Sequence, residues 1–264
     1  MEAFRLPSNN QKIYFRRYTV NDALSIAGRN PNFEESIATQ FLNDMQVVER
    51  EQSDATNWTI SDRKLALMWL YVMCRDDPNV PTLYRCPACK KSHRADVDVV
   101  KLMQTASMMD GESYREFEIV LNGATERVRI TPLYGNHAED LENRRLMRDK
   151  HAQDSDAYHR HQVDIMYVEH AHCITFLDHQ MTLDDKLDYI KQLDLERDFR
   201  MLASKTEFAL REMQHGIPAK YRDGRYYYSY RINVPCAKEG KSARELLLPF
   251  RCHDYLPRLY ETIT

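Results

Sequence analysis

The apolar residues of this chain change their spacing three times, and that restricts its fold more than any single motif does. Up to about Met73 they recur every three or four positions, as on one face of a helix: Phe33, Ile37, Phe41, Leu42 and Met45, then Leu65, Met68, Trp69 and Val72. From Leu83 to Ile130 the period falls to two. Ala95, Val97 and Val99 alternate with Asp96 and Asp98, and Phe117 to Leu121 and Val128 to Ile130 flank Asn122-Gly123, a pair that favours a two-residue hairpin turn. From about His137 to Leu177 the pattern is helical again and very polar in its first half. A further helix carries Leu195, Phe199, Leu202, Phe208, Leu210 and Met213, and stops at Gly216 and Pro218. A tyrosine-rich strand, Arg225 to Val234, and a partner, Glu245 to Phe250, close the pattern. Helices, hairpins, helices and a hairpin in that order, with no βαβ alternation, predict an α+β fold in which short hairpins flank a mainly helical middle. The boundaries drawn on this basis are an N-terminal α+β region over 1–135, a helical subdomain over 136–220, and a C-terminal hairpin over 221–264 that packs with the N-terminal region.

Local punctuation supports these elements. Thr19 with Asp22 and Thr182 with Asp185 have capping-box spacing, and Ser61-Asp62 reads as the start of the helix that ends before Asp77-Pro78. With only 7 glycines and 10 prolines in 264 residues, long helices are favoured over a loop-rich chain. An apolar share of 43% suffices for a core, and a net charge of −3 makes no general case for nucleic acid or anionic membrane. No apolar run approaches the ~20 residues that span a bilayer. The opening Met1-Glu2-Ala3-Phe4-Arg5 lacks the apolar stretch of a signal peptide, so the thiols are expected to stay reduced.

One segment has the look of a chemical device. Cys86-Pro87-Ala88-Cys89 lies in a turn between two strand-like runs, and two thiolates at that spacing offer half of a tetrahedral zinc site. His93 on the returning strand and Cys236 in the late hairpin are the further ligand candidates, with Cys74 and Cys252 as substitutes for them. The bland reading is a relic turn holding no metal. A thioredoxin-like redox role fits worse, because that motif opens a helix, whereas here an alternating strand follows. His159 and His161 are two apart and diverge on a helix. Glu169-His170-Ala171-His172 does not set two ligands one turn apart. GxGxxG, GxxxxGK[ST] and GxSxG are all absent, so no enzyme is expected. Tyr226, Tyr228 and Tyr230 alternate along one strand face and read as a sheet face or protein interface; the less favoured alternative is base stacking.

Leu6-Pro7-Ser8, the helix from Ser61 running into the Cys86-Pro87-Ala88-Cys89 strand, Val97-Asp98-Val99-Val100, Val128-Arg129-Ile130-Thr131-Pro132, and Cys236 followed by Leu246-Leu247-Leu248-Pro249-Phe250 form an ordered set. In that order and pattern the chain resembles the T-even-type bacteriophage baseplate proteins, which belong to the hub of contractile tails and its assembly. Only the Leu-Pro-Ser opening and the Cys-Pro-x-Cys knuckle are near-literal. Members of that family often carry a glycine after the knuckle and a second CxxC in the late hairpin. Here Lys90 replaces the glycine, and Glu239 stands where the second late cysteine falls. The resemblance implies a structural or assembly component acting by protein–protein contacts without catalysis. Its partners would be other tail and baseplate proteins in a hetero-oligomer, and its place the virion baseplate or the host cytoplasm during assembly. The alternative is a zinc-knuckle nucleic-acid or regulatory binding protein using Lys90, Lys91, Arg94 and the tyrosine strand.

Overall fold

The computed structural model describes residues 3–86, 89–222, 225–236 and 240–259; the side chains of 221–222, 225–226, 232–236 and 240–244 lie outside the description. The fold is α+β. Among the described residues it has eight α-helices and four small antiparallel sheets. No helix among them is long and apolar enough to cross a membrane.

The N-terminal part pairs β1 (Phe4–Arg5) with β2 (Lys12–Ile13), followed by α1 (Val20–Ala27), α2 (Glu34–Asp44) and α3 (Ile60–Cys74). Thr19 and Asp22 form the expected capping box on α1. The cap of α3 is Thr59, two residues earlier than the expected Ser61. Its hydroxyl accepts from the Asp62 amide while the Asp62 carboxylate accepts from the Thr59 amide. Next come the hairpin β3 (Asn79–Arg85) with β4 (Ser92–Asp98), the short α4 (Val99–Met103), and the hairpin β5 (Arg115–Leu121) with β6 (Ala124–Ile130). Leu121 faces Ala124 across Asn122 and Gly123, whose φ angles of 50° and 80° are both left-handed, as a type I′ turn demands.

The polar stretch expected as one helix from His137 to Leu177 is instead three elements. They are α5 (Gly135–Arg148), α6 (Asp156–His172) capped by Ser155, and β7 (Ile174–Phe176), which adds to β6 with Ile130 opposite Ile174. The tertiary reason is visible at β7: Ile174 and Phe176 are buried while Thr175 is exposed, so the strand completes the sheet's inner face. After α7 (Leu183–Lys191), capped by the expected Thr182–Asp185 box, a π-helical turn (Leu195–Phe199) leads into α8 (Arg200–Glu212). The closing sheet is β8 (Ala219–Arg222), β9 (Arg225–Cys236) and β10 (Gly240–Pro249), with β9 central.

Two hydrophobic cores result. One gathers β1, β2, α2, α3 and α4 with Tyr228, Tyr255 and Leu256 from the end of the chain. The other gathers α5 to α8 around the inner face of β5, β6 and β7, so the 115–130 hairpin packs with the helical middle. They meet at the start of α3. Ile60 belongs to the second core and Leu65 to the first. The Ile60 amide donates to the Leu133 carbonyl (3.0 Å), and the Gly135 amide donates to that of Trp58 (2.9 Å). His215 donates Nδ1–H to the Met213 carbonyl, which leaves Nε2 to accept from the Thr59 hydroxyl at 2.7 Å. The expected one-sided face of α3 gives way to a helix buried almost all round, as its run of apolar residues permits.

Candidate metal centre

The knuckle is built by its hairpin. β3 and β4 pair from Asn79 opposite Asp98 to Arg85 opposite Ser92. The turn then closes on its own backbone: the Cys86 amide donates to the Lys91 carbonyl and the Lys90 amide to that of Cys86, both at 2.8 Å. Lys90 has φ 62°, a left-handed conformation that suits glycine.

This turn brings Cys86, Cys89 and His93 together, with their ligating atoms all within 4.8 Å of one another. The Cys89 Sγ and His93 Nε2 atoms lie 2.9 Å apart. A tetrahedral zinc with ordinary Zn–S and Zn–N bonds would set such a pair about 3.5 Å apart, so this pair would open by about 0.6 Å to hold it. Cys86 is fully buried, against Tyr230 and Leu246. The His93 ring is stacked on Tyr84, its cross-strand neighbour, with centroids 5.8 Å apart, which limits its rotation. Tyr230 links hairpin and closing sheet, its hydroxyl accepting from the Asp98 amide at 3.1 Å. The arrangement offers two soft sulfurs and an imidazole on one hairpin, a ligand set compatible with zinc.

The other candidate ligands fall elsewhere. Cys74 ends α3 beside Arg17 and Tyr18, with its thiol pushed up by burial. Cys252 is buried near Glu34, Glu35 and Lys64, and burial raises its thiol well above the ordinary range. Neither joins the cluster, because each is fixed by the core around it. The backbone of Cys236 ends β9 opposite Gly240, and its side chain lies outside the described residues, as does that of Tyr226. Tyr228 is core, packed edge-on to Phe250, and Tyr230 is half-buried. Of the two readings of the tyrosine stripe, Tyr228 and Tyr230 form a sheet face rather than an exposed interface: that side covers the first core. His137 and His172 of the helical middle serve packing: they stack at 4.4 Å, and His172 is fixed by Asp140 at 2.9 Å. Among the described residues, Cys86, Cys89 and His93 are the only group of three or more potential ligands so gathered.

A second feature escaped the sequence reading: a cavity of about 500 Å³ between α2, α3, α5 and the C-terminal segment. Lys64 lines it from the buried helix, its Nζ 5.3 Å from the Phe250 ring centroid, and burial pushes its ammonium down to about 7. Glu142 lines it too, its carboxyl pushed up to about 7 by burial even as it accepts from the Glu35 amide at 2.9 Å. The available signal was Arg63-Lys64 followed by an unbroken apolar run, two cations where a buried helix has no water to offer them. No family model matches the chain, and no curated protein or solved structure matches it either.

Proposed function

We propose that this chain is a structural or assembly component of a contractile phage-tail baseplate, acting near the hub through protein–protein contacts without catalysis, and that a structural zinc clips its CxxC hairpin. One observation supports the reading: of the two near-literal elements of the resemblance, the Leu-Pro-Ser opening is fastened into the first core and the knuckle gathers three potential metal ligands. Leu6 is buried in the first core, the Pro7 carbonyl accepts from the Met109 amide at 2.8 Å, and the Ser8 amide donates to Asp62 at 2.9 Å. The Cys-Pro-x-Cys turn gathers Cys86 and Cys89 with His93. A two-stranded hairpin is marginal by itself, and a metal bound across its tip would stabilise it. A closed site takes a fourth ligand, for which Cys236 is the remaining candidate of the expected set.

Two measurements test this. Co-expression with the hub and tail proteins of a contractile phage is expected to yield a stable hetero-oligomer; a chain that stays monomeric and captures none of them ends the baseplate reading. Elemental analysis is expected to find about one zinc per chain, lost in Cys86→Ser. Equal metal content in both would remove the clip.

A further inference from the structure

The hairpin of β3 and β4 has one covered face and one open face. Tyr84, His93 and Val97 lie on the covered side, where Cys86 packs against Tyr230 and Leu246. Pro81, Leu83, Arg85, Ser92 and Arg94 alternate with them and are all exposed. From Pro78 to Ala95 the sequence holds four cations, Arg85, Lys90, Lys91 and Arg94, and no carboxylate, in a chain whose net charge is −3. The nearest acids in sequence, Asp76, Asp77 and Asp96, belong to the base of the hairpin, so the positive charge is gathered at its tip. Arg94 meets Asp96 at 3.4 Å, but both side chains are well exposed and such a pair contributes little. Arg85, Lys90 and Lys91 have no carboxylate partner among the described residues.

Leu83 stands 76% exposed on this face, with Arg94 directly across the strand pair and Arg85 two positions further along. A single exposed leucine is ordinary. A leucine flanked by exposed cations restricts what can cover it, because the covering surface has to be apolar at one point and negative around it.

We propose that this face is the docking site for an acidic segment of a partner protein, which sets an apolar side chain on Leu83 and carboxylates against Arg85, Lys91 and Arg94. The spacing suits a peptide. Arg94 lies about 5 Å from Leu83 across the ladder, and Arg85 roughly 7 Å along the strand. Those are the separations between neighbouring side chains of one short segment. A nucleic acid fits the face less well. Single strands are held by aromatic side chains on which bases stack, and the open face carries none. Tyr84 is stacked on His93 on the covered side, and Tyr228 is buried. Phosphates would meet the cations and leave Leu83 uncovered. The inference rests on the reading that the chain works through protein contacts, and it names one surface for them and the chemistry of its partner.

The test uses the full chain and fluorescence anisotropy. The probes are a labelled twelve-residue peptide of glutamates with two central leucines, the same peptide with glycines in place of the leucines, and a labelled twelve-nucleotide oligothymidine. The leucine peptide is expected to bind, to weaken as salt rises, and to bind several-fold more weakly to Leu83→Ser and to the double variant Lys91→Glu, Arg94→Glu. The glycine peptide is expected to bind the wild type several-fold more weakly and to be indifferent to Leu83→Ser. All three substitutions are at exposed positions outside the metal ligands, and circular dichroism verifies that the variants are folded. Absence of leucine-peptide binding at low salt would overturn the proposal. So would binding that either variant leaves unchanged, because the peptide would then sit elsewhere. Oligothymidine held as tightly as the leucine peptide would make the face a general polyanion site and overturn it as well. Neither tail proteins nor zinc content enters the assay, so its failure leaves the baseplate reading where it was.

Discussion

Replacing Asp62 by alanine tests why a Leu-Pro-Ser opening matters to this fold. The Asp62 side chain is completely buried at the start of α3, and each carboxylate oxygen accepts one backbone hydrogen bond. Oδ1 accepts from the Ser8 amide at 2.9 Å, and Oδ2 accepts from the Thr59 amide at 3.2 Å. Ser8 and Thr59 are themselves buried, so neither amide gains water in exchange. Each orphaned donor costs about 1–3 kcal/mol, so Asp62→Ala, which orphans two, is expected to destabilise the chain by about 2–6 kcal/mol. At about 2–4 °C per kcal/mol for a chain of this size, thermal unfolding should shift down by about 4–24 °C. Asp62→Asn keeps one acceptor oxygen and should fall between alanine and wild type. Differential scanning calorimetry measures the shift, and hydrogen exchange at the Ser8 amide localises it. A fall of under about 2 °C, with Ser8 exchange unchanged, would refute the idea that Asp62 fastens the N-terminal turn to α3.

Lys90→Gly should stabilise the knuckle by about 0.5–1 kcal/mol, because the left-handed conformation at φ 62° strains any residue with a Cβ. Slower exchange at the Cys86 amide would register the gain, and faster exchange would contradict it. Gly135→Ala should destabilise by about 1–3 kcal/mol, since its Cβ would sit 2.5 Å from Arg63 Nη1 and 2.6 Å from the Ala55 carbonyl, a backbone atom that cannot swing aside. An alanine variant with the wild-type midpoint in urea would show that the backbone there yields freely. His137 is held down to about 4, chiefly by burial and then by the stacked His172. The unfolded state takes up its proton near 6.5 and the folded state only near 4. Stability is therefore complete above about pH 6.5 and falls as the pH drops towards about 4. His137→Phe should flatten the thermal midpoint in that window, and an unchanged slope would reassign the pH dependence to another group.

Elements were legible where spacing and turn chemistry agreed. The Asn122-Gly123 hairpin, the Thr19 and Thr182 caps and the knuckle between two alternating strands are all written in contiguous residues, and each forms where the pattern puts it. The Ser61 start was displaced to Thr59, because Asp62 sits three positions after Thr59 but only one after Ser61, and the reciprocal hydrogen bonds of a capping box form at the first spacing. The break between α5 and α6 was written in Ser155, a capping residue ahead of Asp156, but polar helix on either side concealed it.

The chain by itself determined the α+β class, most of the helices and hairpins, and the meeting of Cys86, Cys89 and His93, because these depend on residues within one turn or one hairpin of each other. Tertiary structure decided the remainder. Ile174-Thr175-Phe176 became a strand because β6 offered an unpaired edge and a core face to fill. Tyr228 went inward because its face of the closing sheet packs on the first core, and Cys74 and Cys252 were held apart from the knuckle by the packing around them. Arg63 and Lys64 were carried into the interior by a helix with no solvent-facing side. Local spacing sets which conformation a segment prefers. Which of its faces is dry depends on partners dozens of residues away, and no short window of sequence contains them.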